Sequence, residues 1–308
     1  MISRRSVRVK VMQVLYAIET INDASDKKNP LRSLDQLLEN TKELMTYLLY
    51  FLTEVGRYAE VDAAYRASKN LLSFEDLNVN IKLAGNDVVW MIVENASFKS
   101  AVAQYKSNLN EEGRELIKKT YQKLVATPEY QAYIAEDGRV KKNETAMLEF
   151  IFSDLMFTEE NFLQFVEEHF PSFSDDAEML GKIVTGIIRK PQSLNLSESL
   201  TKDTQDYGNT LLQTVLDKKT YLSETIKPKL RNWDAERIAQ IDMILLEMGV
   251  TELLYFETIP AKVTINEYID IAKEYSTEQS GHFVNGILDS IRKDLESADK
   301  LHKIDFRK

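Results

Sequence analysis

The sequence predicts an all-α fold, on three observations. Punctuation is sparse: 308 residues hold only 10 Gly and 6 Pro, too few for a chain built from short strands and tight turns. Apolar residues recur at steps of three and four along most of the chain, the period of one helix face. Hydrophobic residues make up 44%, enough to fill the core of one large or two ordinary domains.

The elements follow in order. Residues 3–19 read as an amphipathic helix with Val7, Val11, Val14, Leu15 and Ile18 on one face and Ser3 as its N-cap. Arg4, Arg5 and Arg8 crowd its first turns, where the helix dipole disfavours cations, and Lys10 follows. Against Glu19 these give the first twenty residues +3, leaving −13 for the rest of a chain at −10. Such a basic tip is either a solvated face or a directed contact for an anion. Residues 22–30 form a polar linker. From Leu31 to about Ala67 runs one stripe (Leu34, Leu38, Met45, Leu48, Leu52, Val55, Ala59). Tyr47, Tyr50, Phe51 and Tyr58 widen it, which favours a buried helix face over a coiled-coil arm.

Residues 68–80 read as a loop, and 86–106 and 110–126 as helices. Thr127-Pro128 opens a short helix, with Thr at the cap and Pro in the first turn, and Asp137-Gly138 is a turn. Helices are expected over 141–157, 158–169 and 174–188. Residues 190–204 form a second polar linker. A helix follows over 206–226, ended by Pro228, and another over 235–248 with Ile238, Ile241, Ile244, Leu245 and Met248 on one side. Residues 251–256 continue helical towards Pro260. Thr264 with Glu267 forms a capping box for a helix burying Ile265, Tyr268, Ile269 and Ala272. Ser280 caps the last helix, whose stripe is Phe283, Val284, Ile287, Leu288 and Ile291. Beyond Leu295 the charged tail is expected to fray.

Catalytic patterns are absent. There is no Cys, no phosphate-cradling Gly loop and no nucleophile elbow, and His169, His282 and His302 stand far apart. Asp175-Asp176 and Glu159-Glu160 sit at predicted helix starts, where acids complement the dipole. Trp90 and Trp233 read as core or rim residues. No catalytic residue, metal ligand or cofactor is expected. The densest apolar run, Met45–Val55, is too short for a bilayer, which takes about 20 apolar residues. No signal-peptide core follows the N-terminal charges, so the expected setting is cytoplasmic, with no membrane contact.

Arg4-Arg5-Ser6-Val7-Arg8 followed by Gln13-Val14-Leu15-Tyr16 resembles the opening helix of the NusB antitermination factors. Ile259-Pro260-Ala261-Lys262-Val263-Thr264-Ile265-Asn266-Glu267 resembles their penultimate loop and helix. Ser280-Gly281-His282-Phe283-Val284-Asn285-Gly286-Ile287-Leu288-Asp289 resembles their closing helix, and Arg237–Leu254 fits the helix between. The resemblance places a NusB-like core at 1–20 plus 203–297, a helical insertion at 21–202 and a charged tail at 298–308. Some part of 145–188 stands where the family has one further helix.

The resemblance implies two packed helical bundles and no catalysis. It implies binding of boxA-type RNA from ribosomal RNA leaders together with the small-subunit ribosomal protein NusE, within the RNA polymerase antitermination complex. Arg4, Arg5 and Arg8 match the basic tip that meets RNA phosphates, and Lys10 can add to it; Ser6 leaves that tip one charge short of a longer basic run. Gln279, His282 and Phe283 match positions on the same rim. Phe283 can stack on an unpaired base or pack in the core with Ile287. Tyr16 and Asp242 match the NusE-facing surface; Asp242, on the side away from Ile241 and Ile244, is expected to be exposed there or to be an ordinary solvated acid. Asn266, Asn285 and Gly286 read as structural, with Gly286 allowing close helix contact. Some ribosomal RNA cytosine methyltransferases carry a NusB-like domain, but they need a nucleophilic Cys and a Gly-rich cofactor fold, both missing here. The alternative is a non-catalytic helical adaptor or ribosome-assembly scaffold that has lost RNA binding.

Overall fold

The computed structural model describes residues 1–20, 29–106, 110–230 and 238–304. Among them there is no strand. The α-helices are α1 (Arg4–Thr20), α2 (Pro30–Ala67), α3 (Phe74–Leu77), α4 (Asp87–Val93), α5 (Ala96–Tyr105), α6 (Glu111–Val125), α7 (Pro128–Ala135) and α8 (Lys141–Phe150). They continue with α9 (Glu160–His169), α10 (Phe173–Arg189), α11 (Lys202–Asp217), α12 (Lys219–Ile226), α13 (Gln240–Tyr255), α14 (Ala261–Tyr275) and α15 (Ser280–Ser297). The chain divides into two compact units: Glu39–Leu200 with Met1, and Ile2–Leu38 with Thr201–Lys308. Residues 30–38, read from sequence as part of the insertion, therefore belong with the second unit.

The first unit is built on α2. Leu44, Leu48, Leu49, Phe51, Leu52, Val55 and Ala59 are fully buried, because aromatics and leucines at this spacing leave α2 few polar faces. The Phe51 ring lies 4.7 Å from that of Phe162, and Tyr47 stacks on Phe165 at 6.0 Å. The helix expected over 86–106 is two, because Asn95 breaks it and caps α5 by accepting from the Ser97 and Phe98 N–H groups. Thr127 caps α7 as expected. Buried Glu144 accepts from Tyr133 Oη, Arg139 and the Asp87 N–H, satisfying the start of α4. Trp90 is a rim residue that donates to the Ala84 carbonyl beside Arg57. Trp233 lies outside the described residues, as do Arg237 and most of the 22–30 linker.

The second unit is built on α13. Ile244, Leu245, Leu246, Met248, Val250 and Leu253 are all buried. A helix apolar on every side is an interior helix, and α1, α11, α12, α14 and α15 pack against it. Helices approach closely at Gly249, where an added Cβ would sit 2.8 Å from Leu288, and at Gly208, 2.6 Å from Val7. Gly286, expected to serve that purpose, faces open space. α14 starts four residues earlier than the capping box predicted: Pro260 stands at its N-cap, and the buried Thr264 hydroxyl is engaged elsewhere. The start of α15 is fixed by a reciprocal pair in which Thr277 Oγ1 accepts from the Ser280 N–H and Ser280 Oγ from the Thr277 N–H. The tail is pinned rather than frayed as far as Ile304. Lys303 Nζ donates to the Glu252 and Phe256 carbonyls at the end of α13, where a cation suits the dipole. No described helix is long and apolar enough to cross a membrane.

Candidate functional site

The site grows from the first turns of α1. Ser3 caps the helix, its Oγ accepting from the Ser6 N–H. Val7 seats against Gly208, so α1 lies flush on α11. Residues four apart share a face, which turns Arg4 and Arg8 towards the same Tyr207 ring, at 5.3 and 5.5 Å from its centroid. Arg5 turns towards α14.

Arg8 is 3% exposed and points inward. Its Nε and Nη2 donate to the two oxygens of Glu252 at 2.7 and 3.1 Å, and Nη1 donates to Glu267 at 3.3 Å. Glu252 also accepts from Tyr268 Oη at 2.8 Å, from Thr264 Oγ1 at 3.0 Å and from Tyr207 Oη. Burial alone would favour neutral Glu252, but the Arg8 fork and the tyrosine donors outweigh it and hold the carboxyl below its usual range. Burial likewise opposes the charge on Arg8, and the bond to Glu252 overrides it, raising its value. Burial, then the Glu252 charge, push Tyr207 and Tyr268 well above the ordinary phenol range, so both remain donors. This is a charged, fully bonded hub inside the helix packing. Its sequence signal was an acid, Glu252, within the largely apolar run Ile244–Leu254, since a buried acid at such a position requires a cation.

Arg4 and Arg5 reach solvent. Arg4 is 39% exposed and donates to Asp203 at 2.8 Å; Arg5 is 41% exposed, 3.3 Å from Asp270 and 3.7 Å from Glu274. Glu274 closes α14, five residues before Gln279, so Arg5 lies beside the α14–α15 turn. Gln279 and His282 are exposed there. Sequence reasoning missed Asp203, Asp270 and Glu274, because the acids come from helices distant in the chain.

Four expected contact residues are placed otherwise. Arg8 and Lys10 are buried, so a phosphate cannot reach them in this arrangement. Phe283 is buried in the α15 stripe, the packing alternative rather than the stacking one. Asp242 is buried too, its carboxylate accepting from Ser280 Oγ at 2.8 Å. The solvated face expected for it does not exist at that point, because α13 is enclosed. Tyr16, towards the C-terminal end of α1, is exposed. Asn266 and Asn285 are exposed as well. Among the described residues no His, Asp or Glu group is arranged to hold a metal ion.

The NusB family model matches residues 174–293, from α10 into α15; α1 lies outside the match. The chain is similar to the transcription antitermination protein NusB of Salinibacter ruber, 45% identical over 100 residues, covering 32% of this chain and 62% of the relative. It is 47% identical over 83 residues to that of Methylacidiphilum infernorum (27% and 58%). It is 37% identical over 109 residues to that of Ruminiclostridium cellulolyticum (35% and 75%). The chain thus spans about three fifths of the length of the first two relatives. No solved structure matches it.

Proposed function

The chain belongs to the NusB family, and on that premise we propose that it is a non-catalytic transcription antitermination factor working in the cytoplasm. In this reading it binds boxA-type RNA together with the ribosomal protein NusE, as part of the RNA polymerase antitermination complex. One observation carries the RNA contact: Arg4 and Arg5 reach solvent at the tip of α1, beside the turn that carries exposed Gln279 and His282. Arginine forks on a helix end suit phosphate oxygens, and Gln279 and His282 add exposed hydrogen-bonding side chains at the same end. Exposed Tyr16 supports a protein contact towards the other end of α1. Asp242, being buried, serves that contact by fixing the start of α15 and not by touching a partner. The same logic keeps Arg8, Lys10 and Phe283 as the frame under the RNA-binding rim.

The test is RNA binding by the full chain, with and without NusE, using a labelled boxA leader fragment and a scrambled control. Selective binding that tightens with NusE and weakens in Arg4→Ala/Arg5→Ala supports the proposal; no selectivity even with NusE refutes it. One observation favours a second reading, an adaptor or scaffold without RNA binding. Residues 61–81 of the first unit expose Val61, Tyr65, Leu71, Leu72, Phe74, Leu77 and Ile81, with Leu71 91% and Phe74 81% exposed, an apolar set of the kind that marks protein contacts.

A further inference from the structure

Both solvent-facing arginines of the tip already hold carboxylates. Arg4 meets one acid, Asp203 of α11; Arg5 meets two, Asp270 and Glu274, one turn apart on α14. All five side chains are about 40% exposed or more, so these are screened, dissociable pairs, unlike the buried Arg8–Glu252 fork. A carboxylate and a phosphate oxygen compete for the same guanidinium edge.

We propose that Asp203, Asp270 and Glu274 are built-in competitors of the RNA backbone, which must displace them from Arg4 and Arg5 and whose affinity they limit. This rests on the reading that the α1 tip binds RNA. The acids act twice: they occupy the arginine forks in the free protein, and once displaced they stay near the phosphates and repel them. Arg4 faces one acid at 2.8 Å, and Arg5 faces two at 3.3 and 3.7 Å, so the larger negative charge lies beside Arg5. The arrangement favours RNA that presents several phosphates in register with the tip over a single chance contact, because each displacement needs a new partner.

The test uses the full chain and a fluorescently labelled single-stranded boxA leader fragment, titrated between 50 and 250 mM salt. The variants are Asp203→Asn, Asp270→Asn/Glu274→Gln and Arg4→Ala/Arg5→Ala, each first shown by circular dichroism to melt with wild type. Removing two charges within about a Debye length of the phosphates is expected to tighten binding roughly three- to tenfold at 50 mM salt. The gain should shrink towards 250 mM. The slope of log K against log salt steepens by up to about 0.7 for each arginine released, a change that a merely structural role would not produce. Asp203→Asn should show the smaller effect. Wild-type binding that the arginine variant weakens, with affinity and slope unchanged in the acid variants, overturns the competition and leaves the RNA reading standing. Weaker binding in the acid variants also overturns it, since the acids would then be orienting the arginines. Absence of binding in wild type and acid variants alike removes the RNA reading itself and the competition with it.

Discussion

Arg8→Met is the perturbation that most sharply separates a buried hub from a phosphate contact. In the folded chain Glu252 is 0% exposed and takes two charge-assisted bonds from Arg8. Methionine fills much of the arginine volume but removes both bonds and the guanidinium charge that faces the Glu252 carboxylate. The tyrosines and Thr264 remain as neutral donors. Breaking a buried ion pair from one side costs about 3–5 kcal/mol; the surviving donors put the expectation at the lower end, about 3 kcal/mol. Urea denaturation followed by circular dichroism reads it as a lower midpoint at unchanged slope. Arg8→Met/Glu252→Leu should recover part of the loss, so the two single costs do not add. The pH dependence gives an independent check. In wild type the folded Glu252 value lies below 4.5, so the unfolded chain binds more protons, and this contribution, present above about pH 4.5, is lost as pH falls through the folded value. Without Arg8, burial dominates and lifts the folded value above the unfolded one. Protonation then relieves the variant, and its penalty shrinks as pH drops through the raised value. A cost under 1 kcal/mol, or a penalty constant with pH, would refute the hub. So would weakened RNA binding at unchanged stability, which would return Arg8 to the phosphate surface.

Phe51→Ala, which empties a site packed against Phe162 and Tyr47, is expected to cost about 3–5 kcal/mol; Leu71→Ser/Phe74→Ser/Leu77→Ser, all exposed, should move the urea midpoint little, and equal losses would mean that the 61–81 face is packed in solution. Gly249→Ala forces a Cβ to within 2.8 Å of both Leu288 methyls and should destabilise by about 1–3 kcal/mol, whereas Gly286→Ala enters open space inside α15 and should stabilise by up to about 1 kcal/mol. Thermal melts of the two variants shifting in the same direction would contradict the packing described.

The helices were legible because their signals are local. Stripes at three- and four-residue steps placed α2 and α15 within a residue or two, and Thr127-Pro128 announced α7. Asn95 was overlooked as a break because Val93 and Phe98 continue the apolar period across it. The tip was legible as a charge run but not as a surface. Four cations in seven residues look like one basic face, yet successive helix positions rotate by about 100°, and α1 is packed by α11 and α13. Which cations face inward depends on Glu252, Tyr207 and Tyr268, more than two hundred residues downstream except for Tyr207, itself about 200 away. Asp242 failed for a related reason: an alternating polar position predicts exposure only on a helix that has an outer side.

The inward turn of Arg8 and Lys10 sets a quantity that can be measured. If all four cations met RNA, the tip would contribute a salt slope of about −2.8, taking 0.7 per neutralised phosphate of a single strand. Only Arg4 and Arg5 reach solvent, so the tip should contribute no more than about −1.4, less whatever the paired acids offset. The difference in slope between wild type and Arg4→Ala/Arg5→Ala isolates that contribution, and a further loss of about 0.7 in slope on adding Lys10→Ala to the double variant would mean that Lys10 emerges on binding. A contribution this small, in a chain of net charge −10, leaves electrostatics too weak to select one RNA alone. Tight, selective binding then has to draw on hydrogen-bonding side chains such as Gln279 and His282 and on a second protein that adds its own cations, which is the physical reason for expecting NusE to raise the affinity.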